Sequence, residues 1–121
     1  MKTELTPEQF LKKLTHEDLR PDCPTRRALE LLNGKWRTYI LYELCRHPTL
    51  RFGALKKAIP LITSTMLTST LRDLQSLNII TRKQFNEIPP RVEYSLTESG
   101  KALFPVFYEI AKWGETYLPA K

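Results

Sequence analysis

The chain of 121 residues is 41% hydrophobic and 26% charged, with nine prolines and four glycines. That is the size and balance of one folded domain, not of a disordered chain or a two-core protein. No apolar run approaches the roughly 20 residues that cross a bilayer, which excludes a transmembrane protein. The start, Met1-Lys2-Thr3-Glu4-Leu5, lacks an apolar core segment and is not expected to be a signal peptide. Two cysteines, Cys23 and Cys45, cannot build a disulfide framework and match no metal spacing. A cytoplasmic protein with reduced thiols is the expectation.

Nineteen Lys and Arg against thirteen Asp and Glu give a net charge of +6. The excess lies in the middle third. Residues 46–86 hold Arg46, Arg51, Lys56, Lys57, Arg72, Arg82 and Lys83 against Asp73 alone, while the flanks nearly balance. Such asymmetry points to a polyanionic partner, nucleic acid first.

In chain order, Thr6-Pro7-Glu8-Gln9 predicts a helix start with a capping box, and Leu5 and Phe10 have the spacing of a hydrophobic staple. Leu11 and Leu14 continue its narrow apolar stripe to Arg20-Pro21. Asp22-Cys23-Pro24 opens a second helix, with Ala28, Leu29, Leu31 and Leu32 expected to be buried and Asn33-Gly34 as its stop. Lys35 opens a third, carrying Trp36, Ile40, Leu41 and Leu44 on one side and closing at His47-Pro48. Thr49-Leu50-Arg51 has room for a strand of two or three residues. Phe52, Leu55 and Ile59 mark a short fourth helix that Pro60 ends.

Residues 63–77 are the most telling stretch. At 100° per residue, Thr65, Thr68, Ser69 and Arg72 project to one side, and Met66, Leu67, Leu71, Leu74 and Leu77 to the other. A solvent-facing helix would carry Glu and Lys pairs there. Hydroxyls are mediocre helix formers, yet they admit close approach to base edges and phosphates, which Glu would repel. Ile79 to Phe85 and Arg91 to Leu96 then read as two strands of a hairpin. Val92, Tyr94 and Leu96 share a face, and Asn86-Glu87-Ile88-Pro89-Pro90 forms a stiff loop. Arg82, Lys83 and Arg91 make the hairpin basic. A final helix starts near Ser95 or Thr97. Its Leu103, Val106, Ile110, Trp113 and Tyr117 form a helix-packing seam, which Phe104, Phe107 and Tyr108 widen beyond what so small a domain can cover alone. Pro105 is expected to bend it.

The fold class that follows is mainly α with a small antiparallel β-hairpin: a winged helix-turn-helix with extra N- and C-terminal helices. The wording of the chain also resembles the HxlR-type family of winged-helix transcription regulators. The matching pieces are Cys23-Pro24, Leu32-Asn33-Gly34-Lys35-Trp36 with Ile40-Leu41, Arg51-Phe52 with Leu55, and Met66-Leu67-Thr68 leading to Leu71-Arg72-Asp73-Leu74. Beyond these come Pro89 to Thr97, Gly100 and Trp113-Gly114.

The resemblance implies one domain over residues 1–121: an N-terminal dimerisation helix (1–20), a DNA-binding core (23–96) and a C-terminal dimerisation helix (97–118). It implies a homodimer on a palindromic operator in double-stranded DNA, acting as repressor or autoregulator, with a small molecule or an oxidant as the signal it would read. Matching positions make Arg51, Lys56, Thr63, Ser64, Thr65, Thr68, Ser69 and Arg72 the helix-turn-helix contacts and Arg82 and Arg91 those of the wing. Phe10, Leu14, Leu103, Val106, Phe107, Ile110, Trp113 and Tyr117 are the expected dimer interface. Two places depart from the family pattern. Pro60-Leu61-Ile62-Thr63 stands where Pro-Gly-Ile-Ser is usual, so a left-handed glycine is absent. Gly53-Ala54 replaces a polar-acidic pair, which leaves the fourth helix less well capped.

Cys23 opens a helix, where unpaired N–H groups can lower a thiol's pKa. It is the redox-sensing candidate, in line with the family, and a purely structural cysteine is its bland alternative. Cys45, beside Leu44, reads as an inert core thiol. His16 and His47 have no second ligand at metal spacing, so neither a metal nor a cofactor is expected. There is no P-loop, nucleophile elbow or dinucleotide fingerprint, and no nucleophile–base pair, so an enzyme is not expected. The rival reading is a winged-helix interaction module that binds an acidic protein or RNA in place of an operator.

Overall fold

The computed structural model describes residues 5–16, 23–118 and 120. Its elements run α1 (Pro7–His16), α2 (Pro24–Leu31), α3 (Lys35–Arg46), β1 (Leu50–Arg51), α4 (Phe52–Ala58), α5 (Ser64–Ser76), β2 (Ile80–Phe85), β3 (Arg91–Leu96), α6 (Glu98–Lys101) and α7 (Phe104–Tyr117). They fall into two compact units, Met1–Asn33 and Gly34–Lys121.

In the first unit the capping box closes as the sequence predicts. The Thr6 N–H donates to Gln9 Oε1 at 3.0 Å, and the Gln9 N–H donates to Thr6 Oγ1 at 3.1 Å. The expected helix end at Arg20-Pro21, the start at Asp22 and the side chain of Leu14 lie outside the described residues. Cys23 caps α2: its Sγ accepts the Arg26 N–H at 3.4 Å, and Pro24 takes the first turn, where no N–H is needed. The burial expected along α2 is corrected. Ala28 is exposed, Leu29 is 66% exposed, and Leu31 and Leu32 are only half-buried. A helix of eight residues offers barely two turns, too little surface to close a core of its own.

The second unit holds the core. Ile40, Leu41 and Leu44 of α3 meet Leu67, Leu71 and Leu74 of α5, all buried, and α5 also packs on β2. Each such side chain contributes about 1.5–3 kcal/mol by leaving water. Leu55, Ile59, Ile62, Ile79, Ile80, Tyr94, Leu96 and Phe107 are buried with them. The three strands pair antiparallel in the order β1-β3-β2. Leu50 lies opposite Tyr94, Arg51 opposite Glu93, Ile80 opposite Leu96 and Lys83 opposite Glu93.

β2 begins one residue later than the alternation predicts because Ile79 is taken up in closing α5. The Ile79 N–H donates to Leu74 O at 3.0 Å and the Asn78 N–H to Gln75 O at 2.9 Å. Asn78 takes φ 60, the left-handed Schellman stop that asparagine tolerates. Within α5, Met66 and Leu77 are partly exposed at the ends of the apolar stripe. Thr70 is buried, its hydroxyl satisfied by donation to Met66 O at 2.7 Å.

Thr97, and not Ser95, caps the C-terminal region, accepting the Gly100 N–H at 3.2 Å. The single bent helix expected after it is two helices. α6 closes after four residues, and Pro105 lies in the first turn of α7. There the missing N–H costs nothing, so proline starts a helix instead of kinking one. Gly100 is buried where this joint meets the sheet. A Cβ there would stand 2.4 Å from Ile79 O and 2.9 Å from Leu96 Cδ2. Gly100→Ala is therefore expected to lower unfolding stability by about 1–3 kcal/mol, measured as a shift in the urea midpoint.

Candidate nucleic-acid interface

The turn that delivers α5 is short and tightly held. Buried Ile59 and Ile62 pin its two ends, and the Ile62 N–H reaches Ile59 O at 3.4 Å. Pro60 and Leu61 sit between them, Leu61 at φ 72. This is the pattern of a type II turn, with proline at its first central position and a left-handed residue at its second. The turn therefore keeps the left-handed geometry although the glycine is missing. At the other end of α4, Arg51 is the N-cap and no side chain closes it, as the Gly53-Ala54 pair predicts.

Thr63 caps α5 by accepting the Met66 N–H at 3.0 Å. With the leucine stripe buried, the other side of the helix faces solvent. Ser64, Thr65, Thr68, Ser69 and Arg72, joined by Asp73 and Ser76, line one shallow groove of about 670 Å³. The hydroxyls of Ser64, Thr65, Thr68 and Ser69 have no intramolecular hydrogen-bond partner among the described residues. They are open donors and acceptors beside a guanidinium.

Two residues of this groove were missed by the sequence reading. Ser76 falls on the same helical side as Thr65, so the periodicity contained it. Asp73 matters for another reason: its Oδ2 accepts a hydrogen bond from Nη2 of Arg37 on α3. That ion pair ties α5 to α3 and offsets the one acidic charge in residues 46–86. A partner 36 residues away leaves no local signal in the sequence.

The remaining predicted contacts lie off this groove. Arg51, Lys56 and Arg82 are exposed on β1, α4 and β2, and no ion pair engages them among the described residues. Arg91 is different. Its guanidinium lies 3.3 Å from Glu87 and 3.4 Å from Glu93, and it stacks 4.0 Å from the centroid of the Phe85 ring. Lys83 approaches the same ring at 5.0 Å. Arg82 lies opposite Tyr94, one residue out of phase with Lys83 opposite Glu93, so the two cations project from opposite faces of the hairpin. Arg91 thus has its charge matched within the wing, and Arg82 is the cation on the face shared with buried Tyr94.

α7 presents Val106, Ile110, Trp113 and Tyr117 outwards, Trp113 at 57% exposure, while Leu103 is half-buried. Phe107 turns inwards instead. It is buried and meets Tyr42 of α3 edge-on, ring centroids 6.0 Å apart. Its place is in the core of its own chain, because α7 needs an anchor on α3 before it can offer a face to anything else. In the first unit Phe10 is partly exposed. Burial pushes the Cys45 thiol up from its ordinary value, which keeps it protonated and unreactive near neutral pH. Among the described residues no three His, Cys, Asp or Glu side chains are placed to hold a metal, and no helix is long and apolar enough to cross a membrane.

A family model described as HxlR-like helix-turn-helix matches residues 31–121. The chain belongs to the HxlR-like helix-turn-helix family. It is similar to the HTH-type transcriptional regulator YdzF of Bacillus subtilis, 44% identical over 92 residues, which are 76% of this chain and 84% of that protein. Among solved structures, a MarR-family transcriptional regulator of Porphyromonas gingivalis W83 superposes with a TM-score of 0.78 at 40% identity, covering 85% of this chain and all of that one. The redox regulator HypR in its oxidised form gives 0.72 at 36% identity over 81% of this chain and all of its own. This HxlR-like chain is accordingly a winged-helix transcription regulator and not an enzyme.

The Arg37–Asp73 pair is partly exposed on both sides, so its worth to the fold is small. A double-mutant cycle of Arg37→Gln and Asp73→Asn in urea is expected to give a coupling of about 0.2–1 kcal/mol.

Proposed function

We propose that this HxlR-like regulator binds an operator in duplex DNA as a homodimer, laying the open face of α5 in the major groove and the β2–β3 hairpin along the adjacent backbone. The observation that carries the proposal is the row of unpartnered hydroxyls on α5 beside Arg72. On a solvent-facing helix such residues cost helical propensity for nothing. Against DNA they are compact donors and acceptors for base edges and phosphate oxygens. Arg51, Lys56, Arg72 and Arg82 supply counterion release, and Thr63, Ser64, Thr65, Thr68 and Ser69 supply close contacts. Arg91 plays a lesser part than its place in the wing suggests, since Glu87 and Glu93 already face it. Work on the chromosome puts the protein in the cytoplasm.

The dimer rests on α7. Val106, Ile110, Trp113 and Tyr117 form an exposed apolar face on a single helix, larger than a monomer gains by leaving open. A second copy of the same face buries it. A twofold dimer requires a palindromic site, read once by each α5.

Cys23 is the proposed sensor of an oxidant or electrophile. Two findings support it: Cys23 is a partly exposed residue at a helix N-terminus, and the chain is similar to a redox regulator. The regulator as a whole would then release or reshape its grip on the operator, in the manner of a repressor or autoregulator.

For roughly 5 to 7 phosphate contacts per half-site, the slope of log K against log salt is expected at about −5 per half-site, and so about −10 for the dimer on its whole operator. Arg72→Ala should cost about 1–3 kcal/mol per half-site on a specific duplex if it reads guanine edges. Equal loss on a scrambled duplex would make it a phosphate contact, and no loss on either would remove Arg72 from the interface. Ile110→Asp is expected to turn the sedimenting species from dimer to monomer; a dimer that survives the change does not use this face. Under mild diamide, wild type should release DNA while Cys23→Ser holds it. If both respond alike, Cys23 is not the sensor.

A further inference from the structure

Leu61 is held in an arrangement that its own side chain does not repay. Its φ of 72 is the left-handed region, which costs an L-residue free energy that glycine would not pay. The side chain gains nothing by it, since it is 89% exposed. Ile59 and Ile62 are buried on either side, Pro60 takes the first central position of the turn, and left-handed Leu61 takes the second, with the Ile62 N–H reaching Ile59 O at 3.4 Å. The turn selects for glycine or asparagine, and this chain has a leucine pointing into solvent.

Backbone strain and apolar exposure at one residue point to a contact made only in a complex. The position says which. Leu61 lies two residues before Thr63, the N-cap of α5, so its Cα is within about 7 Å of the start of that helix. In helix-turn-helix docking the N-terminal residues of the recognition helix meet the base edges. Leucine cannot engage a phosphate, and the apolar group that the major groove displays is the C5-methyl of thymine. We propose that Leu61 contacts a thymine methyl in each half-site, adding a base preference at the turn to the polar contacts of α5. This rests on the DNA-binding reading above and adds a specificity determinant peculiar to a chain that carries leucine here.

The test uses the full-length protein and duplexes that the wild type enriches from a random-sequence pool. Each thymine of a half-site is replaced in turn by deoxyuridine, which removes only the methyl. Wild type is expected to lose about fourfold in affinity per half-site at one such position, the worth of one buried methyl. Leu61→Gly and Leu61→Ala should bind the thymine and uracil duplexes equally well there. Leu61→Gly relieves the left-handed strain and its Tm should hold or rise, so weaker binding by that variant is not loss of fold; Leu61→Ala keeps the strained backbone and removes only the apolar reach. The proposal is overturned if wild type is indifferent to deoxyuridine at every position. It is equally overturned if the variants lose the same affinity for both duplexes, as a contact to deoxyribose would give. Failure of wild type to enrich any duplex sinks the DNA-binding reading and Leu61 with it, whereas enrichment without thymine coupling sinks Leu61 alone.

Discussion

The orientation of one helix decides what this molecule offers its surroundings. Leu67, Leu71 and Leu74 are buried against α3 and β2, and a rotation of α5 about its axis would pull all three into water. Each is worth about 1.5–3 kcal/mol, so their sum exceeds by far what any surface contact could contribute. The hydroxyl side has no choice of direction once the leucines are seated. The same burial that stabilises the fold aims Thr65, Thr68, Ser69 and Arg72 outwards, and the Arg37–Asp73 pair adds a second tether to α3 at lower cost.

Charge is handled more selectively than its tally suggests. Asp73 is matched by Arg37, and Arg91 by Glu87 and Glu93. Arg51, Lys56, Arg72 and Arg82 take part in no ion pair among the described residues. An unpaired cation on a surface is inexpensive in water and gains most where it meets a dense line of phosphates and displaces their counterions. Pairing Arg91 within the hairpin stiffens the wing around Phe85 while Arg82 keeps its charge available. The wing is braced by one arginine and equipped by another.

Much of this was readable from the residues. The two-sided periodicity of residues 63–77 gave the direction of α5 and its ends to within a position. The alternation in residues 91–96 gave β3 and its inward face. What escaped the reading depends on partners distant in sequence or on a choice between equivalent local rules. Arg37 and Asp73 meet across 36 residues. Phe107 belongs to a wide apolar surface in which only tertiary packing decides that it turns to Tyr42 while Val106 and Ile110 do not. Pro105 could end, bend or begin a helix, and the turn after α6 settled it. Leu61 shows the opposite limit. The missing glycine was visible, yet the fold kept the left-handed turn because buried Ile59 and Ile62 outweigh the strain of one residue.

The most direct measurement of the central claim is a titration of the ¹⁵N-labelled protein with an enriched duplex, followed by backbone amide NMR. The account predicts that the largest shift changes fall on residues 64–72 and on β2, with α7, the proposed dimer face, little altered. Changes concentrated on α7 or on the outer face of α3, with residues 64–72 unmoved, would contradict it.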